Sequence, residues 1–263
     1  MLLSAAAEMS FWEWTSSIVQ NYWPLLLMGA GITLLISITG TIIGSAIGLI
    51  VGVVRTIPVS ARDSAVKRSV LKILNFILTA YIEVFRGTPM IVQATVIFYG
   101  AAFAGFYMDT TLAGILIVSI NTGAYMSEIV RGGILSVDRG QFEAAHSIGM
   151  THIKTMLNIV MPQVIRNILP ATGNEFVINI KDTSVLNVIA VTELFFQGKT
   201  VAGITFQYFP AYLIICIMYF IMTFTVTRIL KAVEKRMDGS DSYTIHGSQT
   251  TPEQEFKVKG GTL

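Results

Sequence analysis

From Pro24 to Val54 the chain carries no ionisable side chain, and within that run Gly40, Gly44, Gly48 and Gly52 recur at every fourth residue. Both facts narrow the fold. An uncharged apolar stretch of this length can cross a bilayer as a helix, the conformation that satisfies every backbone polar group within the segment. A four-residue interval places all four glycines on one helix face, where a second backbone can approach closely. The expected fold is all-α and polytopic: 53% of the 263 residues are hydrophobic and 13% are charged, against about 25% in soluble domains. A net charge of +2 is too small to point to nucleic acid.

Basic residues set the expected orientation. Arg55, Arg62, Lys67, Arg68 and Lys72 accompany one acid, Asp63, so the positive-inside rule places this loop in the cytoplasm and the N-terminus outside. Residues 1–22 hold Phe11, Trp14, Ile18 and Tyr22 at helical spacing beside Trp12 and Trp23, and read as an extracytoplasmic interfacial segment. No cleavable signal is expected, because these residues lack lysine and arginine and the first apolar run is far longer than a signal core.

The apolar stretch from Ser69 to Gly105 is too long for one straight crossing and is interrupted at Gly87-Thr88-Pro89. Two crossings there would leave Arg131, Arg139, Lys154 and Arg166 outside; one broken span puts them inside, and is expected. Further spans are expected from about Thr111 to Val130, Ala171 to Val191 and Phe209 to Thr227, five in all within a membrane domain over 23–236. An outer loop with Glu193 and Lys199 precedes the last. Arg228, Lys231, Lys235 and Arg236 then mark a cytoplasmic C-terminus, with 237–263 a disordered tail.

Between the third and fourth spans lies a polar insert, 137–162. Asp138 can cap a helix with Gln141 reaching back and Val137 packing on Phe142. Gly149 suits the left-handed turn that ends it. Thr151 can cap a second helix with Ile153, Met156, Leu157 and Val160 on one face, ended by Pro162. The product is a two-helix elbow on the cytoplasmic side.

Within the elbow, Glu143-Ala144-Ala145, three residues and Gly149, followed by Ile159-Val160-Met161-Pro162, resemble the EAA loop of ATP-binding-cassette importer permeases. Met161 stands where that family usually has leucine, a change that keeps an apolar plug. Glu83-Val84-Phe85-Arg86-Gly87-Thr88-Pro89 and Ile180-Lys181-Asp182-Thr183-Ser184 are similar to the polar amino acid branch, the glutamine, histidine and arginine type. The resemblance covers roughly residues 25 to 235. It implies a plasma-membrane subunit that moves a polar amino acid inward by alternating access. It also implies separate ATPase subunits docked on the elbow through Glu143, Ala144, Ala145, Gly149 and Pro162, a second permease copy, identical or related, and an extracytoplasmic solute-binding protein. ATP would be used by the ATPase partner alone.

Ionisable groups inside spans cost about 2.5 to 3.5 kcal/mol each, which makes them functional candidates. In the fourth span Thr172, Glu175, Asn179, Asp182 or Thr183, and Asn187 follow a three-to-four-residue step and form one polar stripe. The stripe is either a translocation pathway or an interhelical hydrogen-bond ladder. Lys181 and Ser184 point off it. Asn121 and Tyr125 are candidate cavity lining on the third span, and Glu128 can pair with Arg131. Thr88 is placed to cap a half-helix starting at Pro89, whose free N–H groups suit a substrate carboxylate. Alternatively the break only bends a helix, with Glu83 and Arg86 paired locally.

Enzyme chemistry finds little in the sequence. His146, His152, His246 and Cys216 lack metal-ligand spacing. Gly198-Lys199-Thr200 echoes the end of a phosphate-binding loop, but the glycine required five residues earlier is Glu193. No catalytic residue, metal or cofactor is expected in the chain. The rival reading is an ion-coupled secondary transporter or channel with Glu175 and Asp182 as ion sites, which explains the buried acids but not the elbow.

Overall fold

The computed structural model describes residues 10–59 and 63–237; beyond Met237 the expected tail lies outside the described residues, as does the segment before Ser10. All regular structure among the described residues is helical: α1 (Phe11–Arg55), α2 (Ala65–Gly87), α3 (Met90–Phe103), α4 (Thr110–Leu135), α5 (Arg139–Ser147), α6 (His152–Thr155), α7 (Met161–Asp182), α8 (Leu194–Thr205) and α9 (Tyr208–Met237). A π turn, Met156–Val160, joins α6 to α7, and a 3-10 segment, Thr183–Ile189, follows α7.

Helix α1 opens on a capping box: Glu13 N–H donates to Ser10 Oγ at 3.4 Å, and Ser10 N–H to Glu13 Oε2 at 2.6 Å. It then continues through Pro24, so the boundary expected near residue 22 is not a helix end. Proline removes one intrahelical bond. Packing on both sides compensates, since Ile18 and Leu26 are buried in one apolar core with Leu194, Val201 and Ala211. Two further cores follow along the molecule. Ile36, Ala94, Ile117 and Leu186 form the middle one; Met126, Val130, Val160 and Val164 form the one beside the elbow.

The glycine face of α1 meets α4. A β-carbon added at Gly40, Gly44, Gly48 or Gly52 would lie 2.5, 2.6, 2.3 or 2.7 Å from Val118, Thr122, Met126 or Val130, respectively. Such separations leave room for hydrogen only, and the four glycines form the tight face their spacing predicts. The partners advance by four residues in the same order on both helices, so α1 and α4 run parallel. Together α2 and α3 therefore return the chain to its starting side. Helix α7 runs against α4, with Gly133 beside Ile168, Thr122 bonded to Asn179, and Gly114 beside Leu186.

Three helices, α1, α4 and α9, are long and apolar enough to cross a membrane, and a fourth crossing is added if 152–189 and α8, bent by 56°, count as one span. Among the described residues, length and apolarity alone therefore do not give all five expected crossings. Helix α2 carries Lys67, Arg68, Lys72, Glu83 and Arg86, and α3 has only 14 residues.

Candidate functional site

The elbow forms largely from local signals. Asp138 accepts from Gly140 N–H at 2.6 Å, in place of the Gln141 capping box, while Val137 and Phe142 share the elbow core. Gly149 ends α5 with φ +81° and has open space around it, so conformation, not room, selects glycine. Thr151 caps α6 through Lys154 N–H at 3.4 Å.

Pro162 does not end the second helix. The π turn lets Met161 N–H reach Met156 O, which shifts the register and leaves Pro162 in the first turn of α7, where its missing N–H is harmless. Nor do the four apolar residues share one buried face. Met156 and Val160 are buried, whereas Ile153 and Leu157 are 69% and 64% exposed and lie with Ile148, 79% exposed, on the outer surface. Glu143 and Ala144 are exposed as well, and Ala145 packs inward. Burial, with His146 and Lys67 nearby, holds the His152 imidazole below its ordinary value.

At the first break the structure corrects the sequence. Pro89 is the residue before α3, which starts at Met90, and Thr88 does not cap it. A threonine at the end of a helix can bond its own i−4 carbonyl, and the Thr88 hydroxyl donates to Val84 O at 2.7 Å. The side chain that closes the break is Gln93, which sequence reasoning missed. Its Nε2 donates to Phe85 O (2.9 Å), Thr88 O (2.8 Å) and Thr88 Oγ1 (3.0 Å), and its Oε1 accepts from Asn121 Nδ2 (2.9 Å). Asn121 thus braces the break. Tyr125, one turn on, lies beneath the Arg86 guanidinium, 5.4 Å from its ring centre.

The polar stripe of α7 divides in two. Asn179 is buried and spent on packing: its Nδ2 donates to Thr41 Oγ1 (2.8 Å) and Thr122 Oγ1 (3.0 Å), joining α7 to α1 and α4. Thr172 donates to Ile168 O of its own helix at 3.0 Å. Glu175 is different. It is 6% exposed, yet makes no hydrogen bond or ion pair among the described residues, and the charges acting on it are Asp182 and Arg86. Asp182 ends α7, exposed, where the 3-10 segment begins. Asp182 and Arg86 thus act on Glu175, Lys181 acts on Asp182, and Arg86 stacks on Tyr125: two acids, two cations and a ring, a set that can meet both charges of a zwitterion.

Two charged groups lie elsewhere. Glu128 pairs with Arg131 at 2.8 Å, as expected, and also with Arg55. Glu193, placed by sequence in an outer loop, is fully buried between the 3-10 segment and α8. It caps α8 by accepting from Phe195 and Phe196 N–H at 2.8 and 2.7 Å. An acid directly before the apolar run Leu194-Phe195-Phe196 was the available signal for a helix start.

The chain matches, over residues 64–239, the family model described as binding-protein-dependent transport system inner membrane component. It is 36% identical over 216 residues to the glutamine transport system permease protein of Escherichia coli (strain K12), covering 81% of this chain and 93% of the relative. It is 33% identical over 220 residues to the L-cystine transport system permease protein of Bacillus subtilis (strain 168), covering 83% and 89%. Among solved structures, an amino acid ABC transporter crystallised with histidines matches with TM-score 0.73 and 37% identity, over 84% of this chain and 97% of that one. The MetNI methionine ABC transporter shares the fold, with TM-score 0.63 and 19% identity over 81% and 97%.

Proposed function

The chain belongs to the family of binding-protein-dependent transport system inner membrane components and is a multi-pass permease subunit of an amino acid ABC importer; from this we propose that it conducts a polar amino acid inward through a site built from Glu175, Asp182, Arg86 and Tyr125. The observation that carries the site is Glu175, buried without a hydrogen-bond partner beside one arginine. A carboxylate buried this far without a partner is costly, and a substrate ammonium group relieves that cost. Arg86 is the natural receptor for the substrate carboxylate, in the role first given to the end of α3 at Thr88.

Five crossings form this pathway, with the N-terminus outside, residues 1–22 at the outer interface, and the C-terminus in the cytoplasm. The parallel course of α1 and α4 supports counting α2 and α3 as one broken span. The elbow grips a separate ATPase, which uses ATP. Its exposed Ile148, Ile153 and Leu157 beside Glu143 and Ala144 supply the apolar and charged contacts such docking needs, and Gly149 and Pro162 set its shape. A second permease copy and an extracytoplasmic solute-binding protein complete the importer, which cycles by alternating access.

Uptake of labelled amino acids into liposomes containing the assembled complex tests the site. Asp182→Asn preserves shape and removes charge, so it should lower uptake about tenfold with the binding protein's affinity unchanged, the effect of losing a charge-assisted contact. Wild-type uptake in that variant would remove charge from the site. Uptake that follows an ion gradient without ATP would favour the ion-coupled reading.

A further inference from the structure

The 3-10 segment after Asp182 is seven residues long, beyond the usual three or four, and ends at Ala190 with φ 60°, a left-handed conformation unusual for alanine. Runs of this kind mark strain or a hinge. Both ends are fastened. Below, Asn179 is tied to Thr41 and Thr122. Above, Tyr219 O–H of α9 donates to Glu193 Oε2 at 2.8 Å, while Leu194 N–H donates to Thr33 Oγ1 of α1 at 3.2 Å.

Glu193 receives three donors, two backbone N–H groups of α8 and the Tyr219 hydroxyl, and it lies at the positive end of a 12-residue helix. A helix cap alone needs no burial and no partner from another helix. Asparagine, serine or threonine would cap α8 at lower desolvation cost. What the longer carboxylate adds is reach to α9. Close packing continues the link one turn on, where a β-carbon at Gly198 would meet Ile215 Cγ2 at 2.7 Å.

We propose that Glu193 and Tyr219 are positioning residues for transport: they bind α8 to α9 as one body and thereby fix the outer end of the segment that begins at Asp182. Movement of the α8–α9 body then reaches the substrate site through this segment, with Asp182 as its first pivot. The proposal rests on the substrate pathway passing Asp182.

Tyr219→Phe removes one hydroxyl and leaves the α8 cap intact. In liposomes holding the full complex it should lower the maximal uptake rate per folded transporter about fivefold, with KM changed less than about twofold. In a Cys216→Ser background, the pair Gly198→Cys and Ile215→Cys, once oxidised, replaces the lost link. Oxidation should restore uptake in Tyr219→Phe and leave it unchanged when Tyr219 is present; reduction should reverse the rescue. Unchanged uptake per folded transporter in Tyr219→Phe, or a crosslink that fails to rescue or that stops transport by itself, overturns the proposal. Asp182→Asn is measured alongside: wild-type uptake there defeats the pathway reading, whereas the response to crosslinking reports on the α8–α9 link alone.

Discussion

The seam between α1 and α4 and the break at Thr88-Pro89 both hold helices together in apolar surroundings, by opposite means. The seam works by bringing backbones together at its four glycines, so each step gains dispersion contacts along both helices. The break exposes the carbonyls of Phe85 and Thr88, and these must find donors; Gln93 and Asn121 supply them. The difference bears on movement. Close-packed backbones have one good arrangement, whereas hydrogen-bonded termini can exchange partners at modest cost. The seam is suited to be the frame of the transporter and the interrupted helices its moving parts.

The comparison breaks first if the seam tolerates bulk. Gly48→Val would put a β-carbon 2.3 Å from Met126 Cβ and 2.8 Å from the Met126 carbonyl carbon, and no side-chain rotation clears a backbone atom. The expected cost is about 3 kcal/mol or more, enough to prevent recovery of folded protein. Gly31→Val is the control, because nothing lies within 4 Å of that β-carbon. Equal yields of monodisperse protein from the two variants after extraction would mean that the seam is not close-packed.

A middle-sized effect is expected at the break. Gln93→Leu keeps volume but leaves Thr88 O without its donor, and leaves Phe85 O and Asn121 with only the longer bond between them, 3.3 Å. Unsatisfied groups of this kind cost about 1 to 3 kcal/mol. Thermal unfolding of the purified complex should show that loss, with helix content preserved. A variant as stable as wild type would make the Gln93 network dispensable and the break self-supporting.

What could be read from the sequence follows the same division. The glycine face needs only a period and a residue size, and both are local, so its partner helix was the one unknown. The ends of the elbow helices at Asp138, Gly149 and Thr151 are local as well, and fall where turn chemistry puts them. Interrupted helices depend on partners far along the chain, such as Asn179 with Thr41, 138 residues apart, and Glu193 with Tyr219, 26 apart. Local chemistry misled at Thr88, where the capping pattern was present but the hydroxyl bonded its own helix. It misled again at Pro162, because a π turn, invisible to a 3.6-residue period, carries the helix past the proline.

Asn179 touches both regions and carries the smallest expected effect. Its amide joins α7 to Thr41 and to Thr122, the residue whose side chain fills the space over Gly44. In Asn179→Ala both threonines lose the amide, but the Thr41 hydroxyl keeps its bond to Ser37 O at 2.7 Å, whereas Thr122 loses both its bonds to Asn179. The expected destabilisation is about 1 kcal/mol, the net value of a neutral hydrogen bond. A double-mutant cycle with Thr122→Val should recover most of it as coupling, and a cycle with Thr41→Val much less. Uptake per folded transporter should fall less than in Asp182→Asn. If uptake is abolished while stability barely changes, Asn179 belongs with Glu175 in the pathway and not with the frame, and the line between the two regions must be drawn on the other side of it.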